Sequence, residues 1–295
     1  MISRRLEPSG PIDLRLTLGP LQRGRRDPTT QVGAAEVWRA TRTPEGPVTV
    51  RITPDLAMQA WGPGAGWALE AFPALVGATD DDSSFTALDP VVADLRRRLK
   101  GLRLCRTGAV VEALVPTILE QKVVGAEAWR AYAELVRALG EPAPGPGGLF
   151  VPPAPATWAR TPSYVFHRYG VERKRAEAVR VACSYAHRLE EATAMPLPAA
   201  YARLRALPGV GAWTAAEVAL VALGDPDAVS VGDFHLPHHV AFALAGEPRA
   251  DDARMLELLA PYAGQRGRVV RLIAAGAPAP PRFGPRMPLQ RIATL

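Results

Sequence analysis

The chain has 295 residues, 48% of them hydrophobic, and its 35 Lys and Arg against 29 Asp and Glu leave a net charge of +6. That apolar content excludes global disorder, no apolar run approaches the roughly 18 residues of a bilayer-crossing helix, and the start turns acidic and proline-rich at Glu7-Pro8 before a signal-like core can form. A soluble, cytoplasmic protein is expected, and with only Cys105 and Cys183 it has no disulfide framework, four-cysteine zinc site or cysteine-held iron–sulfur cluster.

From the N-terminus, Ile12, Leu14, Leu16 and Leu18 alternate with polar residues, as do Val48, Val50 and Ile52, and this period of two predicts half-buried strands. A helix is expected near Gly66 to Ala71. From Pro90 the period becomes helical: Val111, Leu114, Val115, Ile118 and Leu119 form one stripe, and Trp129, Tyr132, Ala133, Val136 and Leu139 the next. Pro142 to Pro155 reads as a loop, Arg173 to Leu189 as a helix, and Pro278 to Pro288 as an irregular tail. The expected fold class is α+β: a sheet-rich N-terminal domain over 1–88, a mainly helical domain over 89–277 and a Pro/Arg-rich tail over 278–295. The positive balance suits a polyanionic partner, although lysine is confined to Lys100, Lys122 and Lys174, and the arginine excess also fits an Ala-, Pro- and Gly-rich composition.

Leu204 to Ala215 reads as a helix ending near Leu207, a Pro208-Gly209-Val210-Gly211 turn, and a second helix running to Leu223. Such a turn exposes backbone N–H groups at a helix start, where a phosphate is favoured and glycine lets it approach. Further on, Val231-Gly232-Asp233-Phe234-His235-Leu236 brings an aspartate to the opening of the next helix. By itself that aspartate reads as an N-cap.

Taken together, these two motifs resemble the helix-hairpin-helix-GPD superfamily of DNA glycosylases over most of residues 90 to 277. Ala113 to Lys122 resembles the family's helix leading to its DNA-probing segment, Arg173-Lys174-Arg175-Ala176 resembles its turn into a further helix, and the sheet region resembles the extra N-terminal domain of the 3-methyladenine-DNA glycosylase II branch. The resemblance implies a mainly helical glycosylase domain that hydrolyses the N-glycosidic bond of damaged, alkylated bases in double-stranded DNA, acting as a monomer at the nucleoid. It implies DNA contacts from Leu207, Gly209, Val210, Gly211, Gln121 and Lys122, with Lys122 at the wedge position, and catalysis by Asp233. An alternative alignment of Leu236-Pro237-His238-His239 places His239 at the catalytic position.

Members that nick the strand carry a lysine where this chain has Trp213, so the resemblance implies a monofunctional enzyme needing no cofactor. Trp213, Glu217 and Gln265 fall at base-pocket positions, the last two replacing aromatic rings of the alkylbase branch. Those replacements keep open a different reading, a helix-hairpin-helix protein that binds DNA or senses damage without catalysis. The family also binds Na+ or K+ through hairpin carbonyls, which map to Arg205, Leu207 and Val210.

Overall fold

The computed structural model describes residues 1–281, and residues 282–295, which include most of the Pro278–Pro288 tail, lie outside the described part. Strand β1 (Ile2–Arg5) is followed by helix α1 (Leu14–Leu18) and then by β2 (Thr30–Val32), β3 (Val37–Thr43), β4 (Gly46–Ile52) and β5 (Ala57–Trp61). All pairings are antiparallel, in the order β1-β5-β4-β3-β2. Helices α2 (Ala65–Leu75), α3 (Pro90–Arg98), α4 (Val110–Leu119) and α5 (Gly125–Leu139) come next. A two-stranded ladder of β6 (Glu141–Pro142) and β7 (Phe150–Val151) then interrupts the helices. After it come α6 (Pro155–Arg160), α7 (Ser163–Arg168), α8 (Arg173–Ser184), α9 (Ala186–Glu190), α10 (Leu197–Arg205), α11 (Ala212–Val218), α12 (Leu236–Ala245), α13 (Asp252–Leu259) and α14 (Arg266–Gly276). The fold is α+β, a helical array following an N-terminal sheet, and among the described residues no helix is long and apolar enough to cross a membrane.

Four expectations need correction. The alternating run Ile12 to Leu18 is a helix, because the Asp13 carboxylate accepts the N–H groups of Arg15 and Leu16 and so caps a turn whose Leu14, Thr17 and Leu18 are buried at i, i+3 and i+4. A run of four apolar residues satisfied both periods, and the cap decided between them. The Pro142–Pro155 segment is not all loop: β6 and β7 lie on the outer face of the large sheet, where Ala40, Leu149 and Val151 form a small cluster beside the stacked rings of Trp38 and Trp61. The helix expected from Arg173 to Leu189 breaks at Tyr185, between α8 and α9. Of the stripe expected on α5, Tyr132, Ala133 and Val136 are buried, together with Ala128, Ala131 and Leu135, but Trp129 at its first turn is 40% exposed.

One hydrophobic cluster runs from the sheet (Val48, Val50, Ile52, Met58) through α4 (Leu114, Ile118, Leu119) into α8 and α11, and a second joins α3 to α12–α14. Helix α4 is the axis of the first, and every residue from Val110 to Leu119 except Glu112 is buried, not one stripe alone. Its termini therefore cannot rely on water. The Glu190 carboxylate accepts the N–H groups of Val110 and Val111, each at 2.9 Å, and the buried Arg175 donates to the carbonyl of Leu119 at 2.6 Å. An anion at the N-terminus and a cation at the C-terminus both suit the helix dipole.

Glu190→Ala should therefore lower unfolding free energy by about 1–3 kcal/mol, since it strands two inward-facing N–H groups. Urea unfolding with an unchanged slope checks this. Glu190→Gln, which keeps one acceptor, should fall between the two.

Candidate active site and nucleic-acid interface

The hairpin turn joins α10 to α11. The Val210 N–H donates to the Leu207 carbonyl at 3.1 Å, and Gly209 has φ +86°, a conformation that L side chains rarely adopt. A Cβ at Gly209 would also meet that of Ala178 on α8 at 3.2 Å. Gly211 differs: its backbone is extended, and a Cβ there would meet nothing within 4 Å. Gly209 is thus needed by the turn itself, whereas Gly211 leaves an open approach to the backbone.

Helix α4 holds this hairpin at both of its own ends. At its C-terminus the Gln121 amide donates to the Gly209 carbonyl at 2.9 Å and to the Thr214 hydroxyl at 2.8 Å. Near its N-terminus, Thr107 and Gly108 donate backbone N–H bonds to Val221 and Ala222, in the π-helical turn Ala219–Leu223 that extends α11. The two helices consequently run antiparallel in fixed register. Lys122, the next residue, is exposed with φ +57°, an uncommon non-glycine conformation that turns the chain toward α5. Exposed Lys122 and Arg205, with Arg173 and Lys174 at the start of α8, place cations around the turn.

Asp233 sits three residues before α12, on a loop whose Gly232 N–H is held by the Asp252 carboxylate. One of its oxygens accepts the N–H groups of His235 at 2.7 Å and Leu236 at 2.8 Å, which is the capping role its local sequence indicates. The other accepts the indole N–H of Trp213 at 3.0 Å. One helical turn along α11, Glu217 accepts the hydroxyl of Ser230 from the same loop. Two side-by-side bonds, 213 to 233 and 217 to 230, therefore join the hairpin's second helix to the aspartate loop. Burial pushes the half-buried Glu217 carboxyl above the usual glutamate range; the Ser230 bond and Arg23 oppose this, while Glu120 and Asp233 add to it.

Several members of this cluster carry no sequence signal that would single them out. Arg23, from the segment between α1 and β2, pairs with Glu120 at 3.0 Å, and the Trp129 indole donates to the same carboxylate at 2.8 Å. Phe234 is 79% exposed and lies edge-on to His235 and His238. The structure brings Trp213, Glu217 and Asp233 together beside the hairpin residues Leu207, Gly209, Val210 and Gly211, and joins Gln121 to them. Gln265 instead takes the guanidinium of Arg268, itself buried in an ion pair with Asp80 at 2.6 Å. His239 has a buried Nε2 that bonds to nothing among the described residues. Those residues also contain no group of three or more His, Cys, Asp or Glu side chains suited to a metal ion.

Chemically, the arrangement offers a carboxylate of fixed orientation, a second carboxyl with a raised affinity for protons, an indole and, at Gly211, open space beside the start of a helix. Replacing Gln121 by Ala removes both bonds to the hairpin and should cost about 1–2 kcal/mol in urea unfolding. Amide hydrogen exchange at Gly211 to Thr214 should quicken with it.

No protein-family model matches the sequence, and no curated protein matches it either. Solved structures do. The 3-methyladenine DNA-glycosylase from Archaeoglobus fulgidus superposes with a TM-score of 0.75 at 17% identity, covering 93% of this chain and 98% of that one. The Clostridium acetobutylicum 8-oxoguanine glycosylase/lyase, in complex with double-stranded DNA containing cytosine opposite 8-oxoguanine, gives 0.69 at 11% identity, with 92% and 96% covered. Both alignments take in the N-terminal sheet as well as the helices. The chain has the fold of the helix-hairpin-helix DNA glycosylases.

Proposed function

We propose that this protein is a monofunctional DNA glycosylase that binds double-stranded DNA and hydrolyses the N-glycosidic bond of a damaged base, with alkylated bases among its substrates. The observation that carries the reading is the bond from Trp213 to Asp233, which couples a helix-hairpin-helix turn to one oriented carboxylate. A turn that grips phosphate and a carboxylate tied to it stand in constant relation, so holding the backbone also sets where the sugar lies. All the groups involved belong to one chain, and the expected working unit is a monomer acting on chromosomal DNA.

The chemistry follows from the residue types. A base stacked in a duplex must be turned out before its sugar can be reached. Lys122, exposed where the chain turns sharply, would fill the gap with its stem or meet a phosphate. As the bond breaks, the sugar develops oxocarbenium character, and Asp233 stabilises that charge while water adds opposite the departing base. An alkylated base that already carries a positive charge is a good leaving group and is attracted to the faces of electron-rich rings, of which Trp213 is nearest the carboxylate.

Gly211, Ala212 and Trp213 have N–H groups at the start of α11 that donate no hydrogen bond among the described residues. They are suited to a phosphate, which they would hold without reading the base. The carbonyls of Arg205 and Val210 accept no hydrogen bond among those residues either, and with Leu207 they offer a hard-oxygen set that fits Na+ or K+. Such an ion would add positive charge where the DNA backbone approaches. Asp233, the anchored hairpin and the cluster beside them favour catalysis over binding alone.

Incubated with duplexes that each carry one damaged base, the protein should release a base and leave an intact strand with an abasic site that breaks only in hot alkali. Borohydride should trap no adduct, because Trp213 offers no amine at the position where a Schiff base would form. A trapped adduct lost in Lys122→Ala would overturn the monofunctional assignment. Gly211→Ala should weaken binding to damaged and intact duplexes alike, by about threefold to tenfold for one impaired phosphate contact, with the melting temperature unchanged because the new Cβ has free space. A loss confined to damaged DNA would put the turn in the base pocket instead.

A further inference from the structure

We propose that Glu217 is a general acid that donates a proton to the departing base, so that the site excises neutral damaged bases as well as cationic alkylated ones. The inference rests on the glycosylase reading above and extends its substrate class. A fixed ring charge makes protonation unnecessary for an alkylated base, and an enzyme restricted to such bases has no use for an acid in the pocket. A neutral base leaves as a poor anion unless a proton reaches it as the bond breaks.

The geometry suits that task. Glu217 lies at i+4 from Trp213 on α11, so both side chains are on one face of the helix, and both bond to the loop that carries Asp233. Ser230 fixes one carboxyl oxygen of Glu217, and the other has no partner among the described residues. That second oxygen is available to carry the transferable proton. Charged groups face Glu217 from every side of the cluster: Arg23 from the segment after α1, Glu120 at the end of α4, Asp233 on the loop before α12, and Arg271 on α14. Arg23 is already paired with Glu120, and Asp233 is held by Trp213, one turn earlier on α11. Burial, the largest influence, also favours the protonated acid.

The step balances. The proton leaves the free oxygen of Glu217 for a ring nitrogen or exocyclic atom of the base, and the electrons of the N-glycosidic bond go to the base, which departs neutral. Water adds to the oxocarbenium carbon on the opposite face and gives its surplus proton to solvent, and once the base has left the Glu217 carboxylate takes up one proton from solvent. Asp233 begins and ends as an anion, and one water is consumed per base released.

The test compares two duplexes under single-turnover conditions, one with a single hypoxanthine, which is neutral, and one with a single 7-methylguanine, which is cationic. Wild-type protein should release both. Glu217→Gln keeps the shape and an acceptor for Ser230, so it should fold, yet the ratio of hypoxanthine to 7-methylguanine release should drop by about a hundredfold. Over a pH series, wild-type hypoxanthine release should fall as pH rises past the elevated pKa of Glu217, and the variant should lose that limb. A purely structural glutamate predicts equal losses on both substrates and an unchanged profile, which would overturn the proposal. Wild-type release of 7-methylguanine without hypoxanthine would also overturn it, leaving the glycosylase reading intact. Release of neither by wild-type protein would remove that parent reading and this one with it.

Discussion

The bond between the Trp213 indole and the Asp233 carboxylate is the constraint on which the rest of the site depends. A carboxylate acts on a sugar only if its position relative to the DNA backbone is set, and here the donor that orients it belongs to the first turn of the helix that begins at the hairpin. The parallel bond from Ser230 to Glu217 stops the loop from pivoting about that single contact. Two short links therefore turn a surface turn and a separate loop into one rigid unit, which is what preorganisation of a charge requires.

That unit stands on α4. A helix buried at every residue but Glu112 supplies a stiff axis, with termini cut off from water, and the fold answers with Glu190 at one end and Arg175 at the other. Gln121, two residues beyond α4, then reaches the hairpin carbonyl and Thr214, while Thr107 and Gly108 reach the far end of α11's extension. The N-terminal sheet supports the same axis through the shared hydrophobic cluster, and the segment leading into it pairs Arg23 with Glu120 at the end of α4. The site is thus assembled from segments more than two hundred residues apart in sequence.

This explains which features were legible in the sequence. The hairpin turn, the aspartate after it and the change from period two to helical period all declare themselves within a dozen residues, because local backbone chemistry produces them. Asp13 misled the strand reading only because capping outweighs four alternating apolar residues in so short a run. Arg23, Glu120 and Trp129 could not be read, since their significance lies in contacts that the chain's path creates. Glu217 was visible as a residue replacing a ring, but the Ser230 bond and the burial that give it chemical interest are tertiary facts. Gln265 fell at a pocket position by spacing, while in the fold its amide oxygen bonds to Arg268.

The central claim, that the oriented carboxylate performs the bond-breaking step, is tested most directly by Asp233→Asn with a single-turnover assay of base release and a duplex-binding titration on the same preparation. Asparagine keeps the shape and its one oxygen can still accept the N–H groups of His235 and Leu236; its amide nitrogen cannot accept the Trp213 indole N–H, but the Ser230–Glu217 bond still ties the loop to α11, so folding and duplex affinity should stay within about threefold of wild type. Base release should fall by about a hundredfold or more, since the charge that stabilises the oxocarbenium ion is gone. Release at the wild-type rate by a folded, DNA-binding Asp233→Asn protein would contradict the account.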